Sequence, residues 1–91
     1  MNVLVKNLAT ANTEYEQALT RGVRFVTLKC REAAAVRVAG VTGKVAASTE
    51  PFATLESGQT LSLMFSGAGD PPSVFLASST ANVNVELVET F

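Results

Sequence analysis

The chain has 91 residues, of which 47% are apolar and only 16% charged, and its net charge at pH 7 is −1. It contains no histidine, which excludes an imidazole base or metal ligand, and one cysteine can form neither an internal disulfide nor a thiolate metal cluster. We therefore expect a single domain over residues 1–91 that is not an enzyme, with no catalytic, cofactor-binding or metal-binding residues. The charged fraction lies below the usual ~25%, as expected of a surface that partners cover.

Membranes and nucleic acids are also poor candidates for a partner. No apolar run approaches the roughly 20 residues that a membrane-spanning helix needs. The N-terminal sequence MNVLVKNLATANTE lacks the apolar centre of a signal peptide, and the chain has no basic excess for nucleic acid. We expect a protein made in the cytoplasm that binds neither.

Alternation of apolar and polar residues predicts strands in the first half of the chain. These strands cover residues 2–6, 14–19, 23–31 and 35–40. Gly22 closes a turn before the third strand, where Val26, Leu28 and Cys30 share the face that we expect to point inward. A turn over residues 41–44 follows, and residues 44–47 could extend it into a short hairpin.

Shorter strands with turns between them make up the second half. They cover residues 52–55, 59–65, 74–77 and 82–89. A loop is predicted over residues 48–51, a turn at Gly58 and a long loop over residues 66–73, which hold two glycines and two prolines.

Eight or nine short strands without sustained helical periodicity predict an all-β fold, either an antiparallel β-sandwich or a flattened barrel. The apolar sides of these strands supply the predicted core. Its members are Val26, Leu28, Val36, Val38, Leu61, Leu63, Phe75, Val83, Val85 and Leu87.

Three features invite a chemical interpretation, and a structural one is favoured for each. Cys30 is either a reactive thiol or a small buried apolar residue, and no sequence neighbour supplies a histidine or a helix N-terminus to activate it. Glu14 and Glu16 are either an acid–base or Ca²⁺ pair or a solvated strand face, and ligands converging from a loop are missing. The GAG sequence of residues 67–69 could cradle a phosphate, but neither a P-loop lysine nor a helix follows.

Charge is divided unevenly along the chain. Residues 21–44 hold six basic residues and one acidic residue (net +5), whereas residues 45–91 hold five acidic residues and no basic one (net −5). If the two segments occupy different faces, the basic face of one molecule could meet the acidic face of another. If their strands interleave, the charges pair within the monomer.

The order of several motifs resembles small virion proteins of tailed bacteriophages. They are TEYEQAL at 13–19, Gly22, FVTLKCR at 25–31, VRVA at 36–39, GKVA at 43–46, PFATL at 51–55, Gly58, VFLAS at 74–78 and VNVE at 83–86. The resemblance implies an all-β capsid-associated or head–tail structural protein. Thr20 and Phe52 depart from that pattern, which usually has proline and tyrosine there, and no site residue is carried over.

The resulting hypothesis is a capsid decoration (cement) protein on the virion surface. Its partners would be the major capsid protein or another virion protein, together with further copies of itself as a homo-oligomer. The alternative is a ligand- or carbohydrate-binding β-sandwich module of a phage head or tail appendage, although the chain has no tryptophan and one tyrosine. We expect a buried edge strand within residues 1–7 or 82–91, with Phe91 either docked on a neighbour or frayed.

Overall fold

A computed structural model describes residues 1–47, 49 and 51–91 of the chain. The predicted loop over residues 48–51 includes Ser48 and Glu50, which lie outside the described residues. The strands are β1 (Asn2–Leu8), β2 (Tyr15–Ala18), β3 (Phe25–Cys30), β4 (Val36–Ala39), β5 (Ala53–Leu55), β6 (Thr60–Met64), β7 (Ser73–Ala77) and β8 (Val83–Thr90). No helix forms in this described part, so the all-β prediction is confirmed. Residues 41–47 form turns and bends instead of a hairpin.

The eight strands pair like one long hairpin that has been rolled up. β1 pairs with β8, β2 with β7, β3 with β6 and β4 with β5, all antiparallel. Further antiparallel pairs, β3 with β8 and β4 with β7, complete two four-stranded sheets. Sheet A has the order β1-β8-β3-β6, and sheet B has the order β2-β7-β4-β5. Eight strands nested in two sheets in this way form a jelly roll, which is a β-sandwich and not a closed barrel.

The core between the sheets contains most of the side chains that the alternation predicted. Seven of the ten are buried, namely Val26, Leu28, Val36, Val38, Val83, Val85 and Leu87. Leu61 and Leu63 pack against this core but are only half-buried, because β6 is an edge strand. The buried members of this core outside the ten are Leu8, Leu19, Val23, Cys30, Leu55, Val74 and Leu76.

Phe75 does not belong to this main core, so its prediction was wrong. Val74 and Leu76 are the buried inward residues of β7, and Phe75 packs on the opposite side of the strand. The run Val74–Ala77 is apolar throughout and both of its sides are covered. A two-residue period cannot identify the inward face of such a strand.

Residues 40–47, here called the covering loop, fold over the outer face of sheet B. Val45 of this loop is fully buried in a second apolar cluster with Ala39 and Ala77, against which Phe75 packs. Arg37 Nε donates a hydrogen bond of 2.5 Å to the Val45 carbonyl. The centre of the outer side of sheet B is therefore covered by the chain itself, whereas Glu16, Ala18 and Thr54 stay exposed.

The basic and acidic segments interleave within the monomer. β3 and β4, from residues 21–44, each lie between two strands from residues 45–91. The interpretation that the segments occupy different faces is therefore wrong, because nested pairing alternates them in both sheets. Arg31 lies 3.2 Å from Glu86 and Arg21 lies 3.8 Å from Asp70. Both ion pairs are partly or fully exposed, so each contributes little to stability.

Candidate functional site

The outer faces of the two sheets differ in cover. The covering loop packs over the centre of sheet B, whereas the outer side of sheet A carries large exposed apolar side chains. Val3 is 51% exposed, Val5 45%, Phe25 43% and Met64 75%. We call the outward side of sheet A the apolar face, although Thr27, Ser62, Lys29 and Glu86 lie among its apolar side chains. Exposed apolar groups that cluster in this way mark interaction sites more often than chance placement does.

Strand register arranges the apolar face into rows. One row runs across the sheet through Thr90, Phe25 and Met64. The next row contains Val3, Val88, Thr27 and Ser62. These two rows form the apolar end of the face, because β-strand side chains project to alternate sides and all of these point away from the core.

A charged row follows the apolar end. Its members in register are Val5, Glu86, Lys29 and Thr60. Glu86 is about one-third exposed and lies 3.2 Å from Arg31. Lys29 is exposed and forms no ion pair with any residue that the structure describes. The Lys29 ammonium and the Glu86 carboxylate, which Arg31 already contacts, thus lie side by side at the centre of the sheet.

Glu89 fixes the sheet from inside, beneath the apolar end, and sequence reasoning missed it. Its fully buried carboxylate accepts hydrogen bonds from the Thr20 backbone N–H at 2.6 Å, the Thr20 hydroxyl at 2.7 Å and Asn2 Nδ2 at 2.9 Å. Burial raises the pKa of this carboxyl, but the hydrogen bonds from Thr20 and Asn2 outweigh burial and hold the pKa below its usual range. The alternation of Val83, Val85 and Leu87 could have revealed it, since Glu89 is next in that series.

Two of the features that invited a chemical interpretation are structural in this fold. Cys30 is buried and its thiol donates to the Glu32 carbonyl at 3.2 Å. The Glu14 carboxylate accepts hydrogen bonds from the Thr42 hydroxyl at 2.5 Å and the Gly43 N–H at 2.9 Å, so it fastens the covering loop. Glu16 is exposed on β2. Among the residues with a described structure, no group of three or more potential metal ligands was found.

The loop over residues 66–73 lies at the surface, as predicted, beside a small cavity of about 110 Å³. Gly22, Phe65 and Gly67 are among the residues that line it. Arg21 holds this loop from outside through the Gly69 carbonyl at 3.2 Å. Typical small-molecule pockets measure 300–1,000 Å³, so the cavity is sized for a few water molecules.

Of the two terminal segments predicted to supply an edge strand, residues 1–7 do and residues 82–91 do not. β1 is an edge strand of sheet A, whereas β8 lies between β1 and β3. The choice of residues 82–91 as an edge was therefore wrong, because two neighbours already satisfy that strand. Phe91 is 51% exposed, and its docking on a neighbour stays a prediction.

Comparison of the chain with protein-family models, curated proteins and solved structures found no match. A search of the described residues for a helix long and apolar enough to span a membrane found none.

Proposed function

We propose that this protein is a structural component of a bacteriophage virion, most simply a capsid decoration (cement) protein that stabilises the head through protein–protein contacts. The observation that carries the proposal is the apolar face, an exposed surface of a kind that often marks interaction sites. The resemblance of motif order over residues 13–91 to small virion proteins supports the same role. The partner would be the major capsid protein or another virion protein, and the protein would reside on the capsid surface.

The fold adds support by analogy. Jelly rolls recur in viral capsid domains, where rigid sandwiches present large surfaces to neighbouring subunits. A fold hosts many functions, so the exposed surface and not the fold carries the proposal. The hydrogen bond from Thr20 to Glu89 and the hydrogen bond from Thr42 of the covering loop to Glu14 are consistent with a rigid sandwich.

The physical requirements of a cement protein fit this composition. Charge is depleted from the centres of protein interfaces, since desolvating it is costly. The molecule exposes 4,886 Å², so one ordinary interface of about 800 Å² would cover about 16% of it. A partner that binds only the folded form also stabilises that form by mass action.

The test is the composition of purified particles. Virions produced by the genome that encodes this chain are separated on a density gradient and quantified by mass spectrometry. We expect this protein in the particle fraction at a copy number comparable to the number of capsomers. Its restriction to the soluble fraction would contradict the proposal.

A functional arm uses particles from a deletion of the gene. Added purified protein should rebind them and raise the temperature at which they release DNA, whereas heat-unfolded protein, as control, should not. Saturable binding without any gain in heat resistance would leave a virion component but remove the cementing role.

A ligand- or carbohydrate-binding module is the second candidate. Lectin domains also use the jelly roll, and Phe25 exposes an aromatic ring on a sheet face that could stack on a sugar. Binding of the purified protein to a glycan array, reduced by Phe25→Ala and unaffected by Lys44→Glu, would favour this role.

A further inference from the structure

The apolar face is self-complementary under a two-fold rotation. We propose that it packs against the same face of a second copy of this chain, with the two-fold axis running along the strands between β8 and β3. The dimer would cover the face that the proposed function offers to the shell, so a dimeric protein would have to bind the shell through another surface. The test of the dimer needs no virion, so the two proposals can fail separately.

The charged row carries the argument for a second copy as occupant. Lys29 of β3 and Glu86 of β8 are direct cross-strand neighbours on the two central strands of the sheet. A rotation about an axis between these strands exchanges β8 with β3. Glu86 of one copy then faces Lys29 of the other, and an isologous interface makes this contact twice.

The same rotation brings the apolar rows together. It leaves each row at its own height along the strands and reverses it from side to side. Val88 therefore faces Thr27 of the second copy, and Phe25 faces Thr90. Met64 lies at the rim. In aligned packing, two sheet faces meet about 10 Å apart with interdigitated side chains, which these medium-sized residues can fill.

The area of the apolar face limits the affinity that we expect for the dimer. Four strands spaced ~4.8 Å apart, with a mean length of about six residues at ~3.3 Å each, project an area of about 400 Å². Two such faces bury about 800 Å² together, which is in the range of weak, transient contacts and below that of stable complexes. We expect a reversible dimer with a dissociation constant of roughly 10–100 μM, and not an obligate one.

The alternative occupants fit the face less well. A capsid protein would have to supply a matching acidic and basic pair, whereas a second copy supplies it by symmetry. The outer side of sheet B is a weaker candidate, because the covering loop and Val45 pack over its centre and Val41 is its exposed large apolar side chain.

The experiment is sedimentation equilibrium of the full chain from about 1 to 500 μM. The variants are Lys29→Glu and Glu86→Lys, and Lys44→Glu on the covering loop is the control for Lys29→Glu, because it makes the same change in charge away from the face. We expect each face variant to weaken the dimer at least tenfold, since like charges then face each other twice. Lys44→Glu should leave it unchanged.

Mixing the two face variants gives the decisive result. Two Glu residues of one variant then face two Lys residues of the other, so we expect an equimolar mixture to form a heterodimer that neither variant forms alone. A loss of stability within one chain could not be rescued by mixing. Circular dichroism confirms the folded state of each variant.

Thr27→Arg gives an independent arm should a charge variant fold poorly, because it places a large cation opposite Val88 of the second copy. A wild-type protein that stays monomeric at ~500 μM, or a dimer insensitive to these three substitutions, would overturn the proposal. A monomeric protein whose binding to particles is abolished by Lys29→Glu would overturn it as well and assign the face to the shell.

Discussion

The carboxylate of Glu89 connects three distant parts of the chain at a single buried point. Its donors come from Asn2 on β1 and from Thr20 between β2 and β3, while Glu89 itself lies on β8. A buried charge is tolerated only when hydrogen bonds satisfy it. The three donors meet that condition and tie the end of sheet A to the turn that leads out of sheet B.

Replacing Glu89 by alanine should destabilise the protein strongly. We expect the free energy of unfolding to fall by about 2–4 kcal/mol, because the Thr20 and Asn2 donors lose a charged acceptor in a buried site. Urea unfolding measures the change, with the exposed Glu16→Ala as control at under ~0.5 kcal/mol. Equal effects of the two substitutions would contradict this role of Glu89.

The lowered pKa of Glu89 also predicts how stability depends on pH. Because the folded pKa lies below the unfolded value of about 4.5, this group's contribution is complete above that value. It is lost as the pH falls through the folded pKa. The stability difference between wild type and Glu89→Gln should therefore shrink from pH 6 to pH 2.5 and stay constant from pH 6 to 8. Glu32, whose pKa the Asn84 backbone and side-chain hydrogen bonds also lower, is common to both proteins and cancels.

At the scale of strands, the alternation of apolar and polar residues predicted the inward face correctly where the other face is exposed to solvent. It failed where both faces of the strand are covered. The inward faces of β3 and β8 could be predicted because polar residues, such as Thr27 and Lys29 in β3, stand between the inward apolar residues. Phe75 could not, since β7 is covered by the core on one side and the covering loop on the other. The candidate site was missed for a related reason. Register decides that Lys29 lies beside Glu86, and 56 intervening residues in the sequence hide that pairing.

Two leucines that were both predicted to lie in the core are buried to different depths. Leu28 is fully buried on a central strand, whereas Leu63 is half-buried on the edge strand β6. Leu28→Ala should cost about 2–5 kcal/mol through transfer and cavity terms, and Leu63→Ala about half as much. Urea unfolding of both variants tests this order, and a change under ~0.5 kcal/mol for Leu28 would mean that its inward assignment is wrong.

The covering loop should open locally when its anchor is removed. Glu14→Ala deletes the acceptor of Thr42 and Gly43, so we expect trypsin to cleave after Lys44 several-fold faster while the melting temperature changes little. Mass spectrometry of the first fragments measures the rate, and Glu16→Ala is the matched control. Unchanged cleavage would show that Arg37 and Val45 hold the loop without Glu14.

At the scale of the whole molecule, nested pairing makes nearly every sheet contact distant in sequence. The outermost pair joins Asn2 to Glu89. Such a chain pays the entropy of closing long loops before it gains the contacts that repay it, so folding in milliseconds to seconds is expected. The same nesting places β3, which carries Lys29, beside β8, which carries Glu86.

A circular permutant tests the nested topology directly. The first and last strands are antiparallel neighbours, so a Gly/Ser linker of about five residues can join the ends, with new ends between Gly69 and Asp70 in an exposed loop. The β1–β8 pair then becomes a local hairpin. We expect an unchanged β-sheet circular dichroism spectrum and refolding accelerated roughly tenfold in stopped-flow experiments. A permutant that folds no faster would mean that pairing β1 with β8 does not limit the folding rate. A permutant that does not fold would contradict the pairing of β1 with β8.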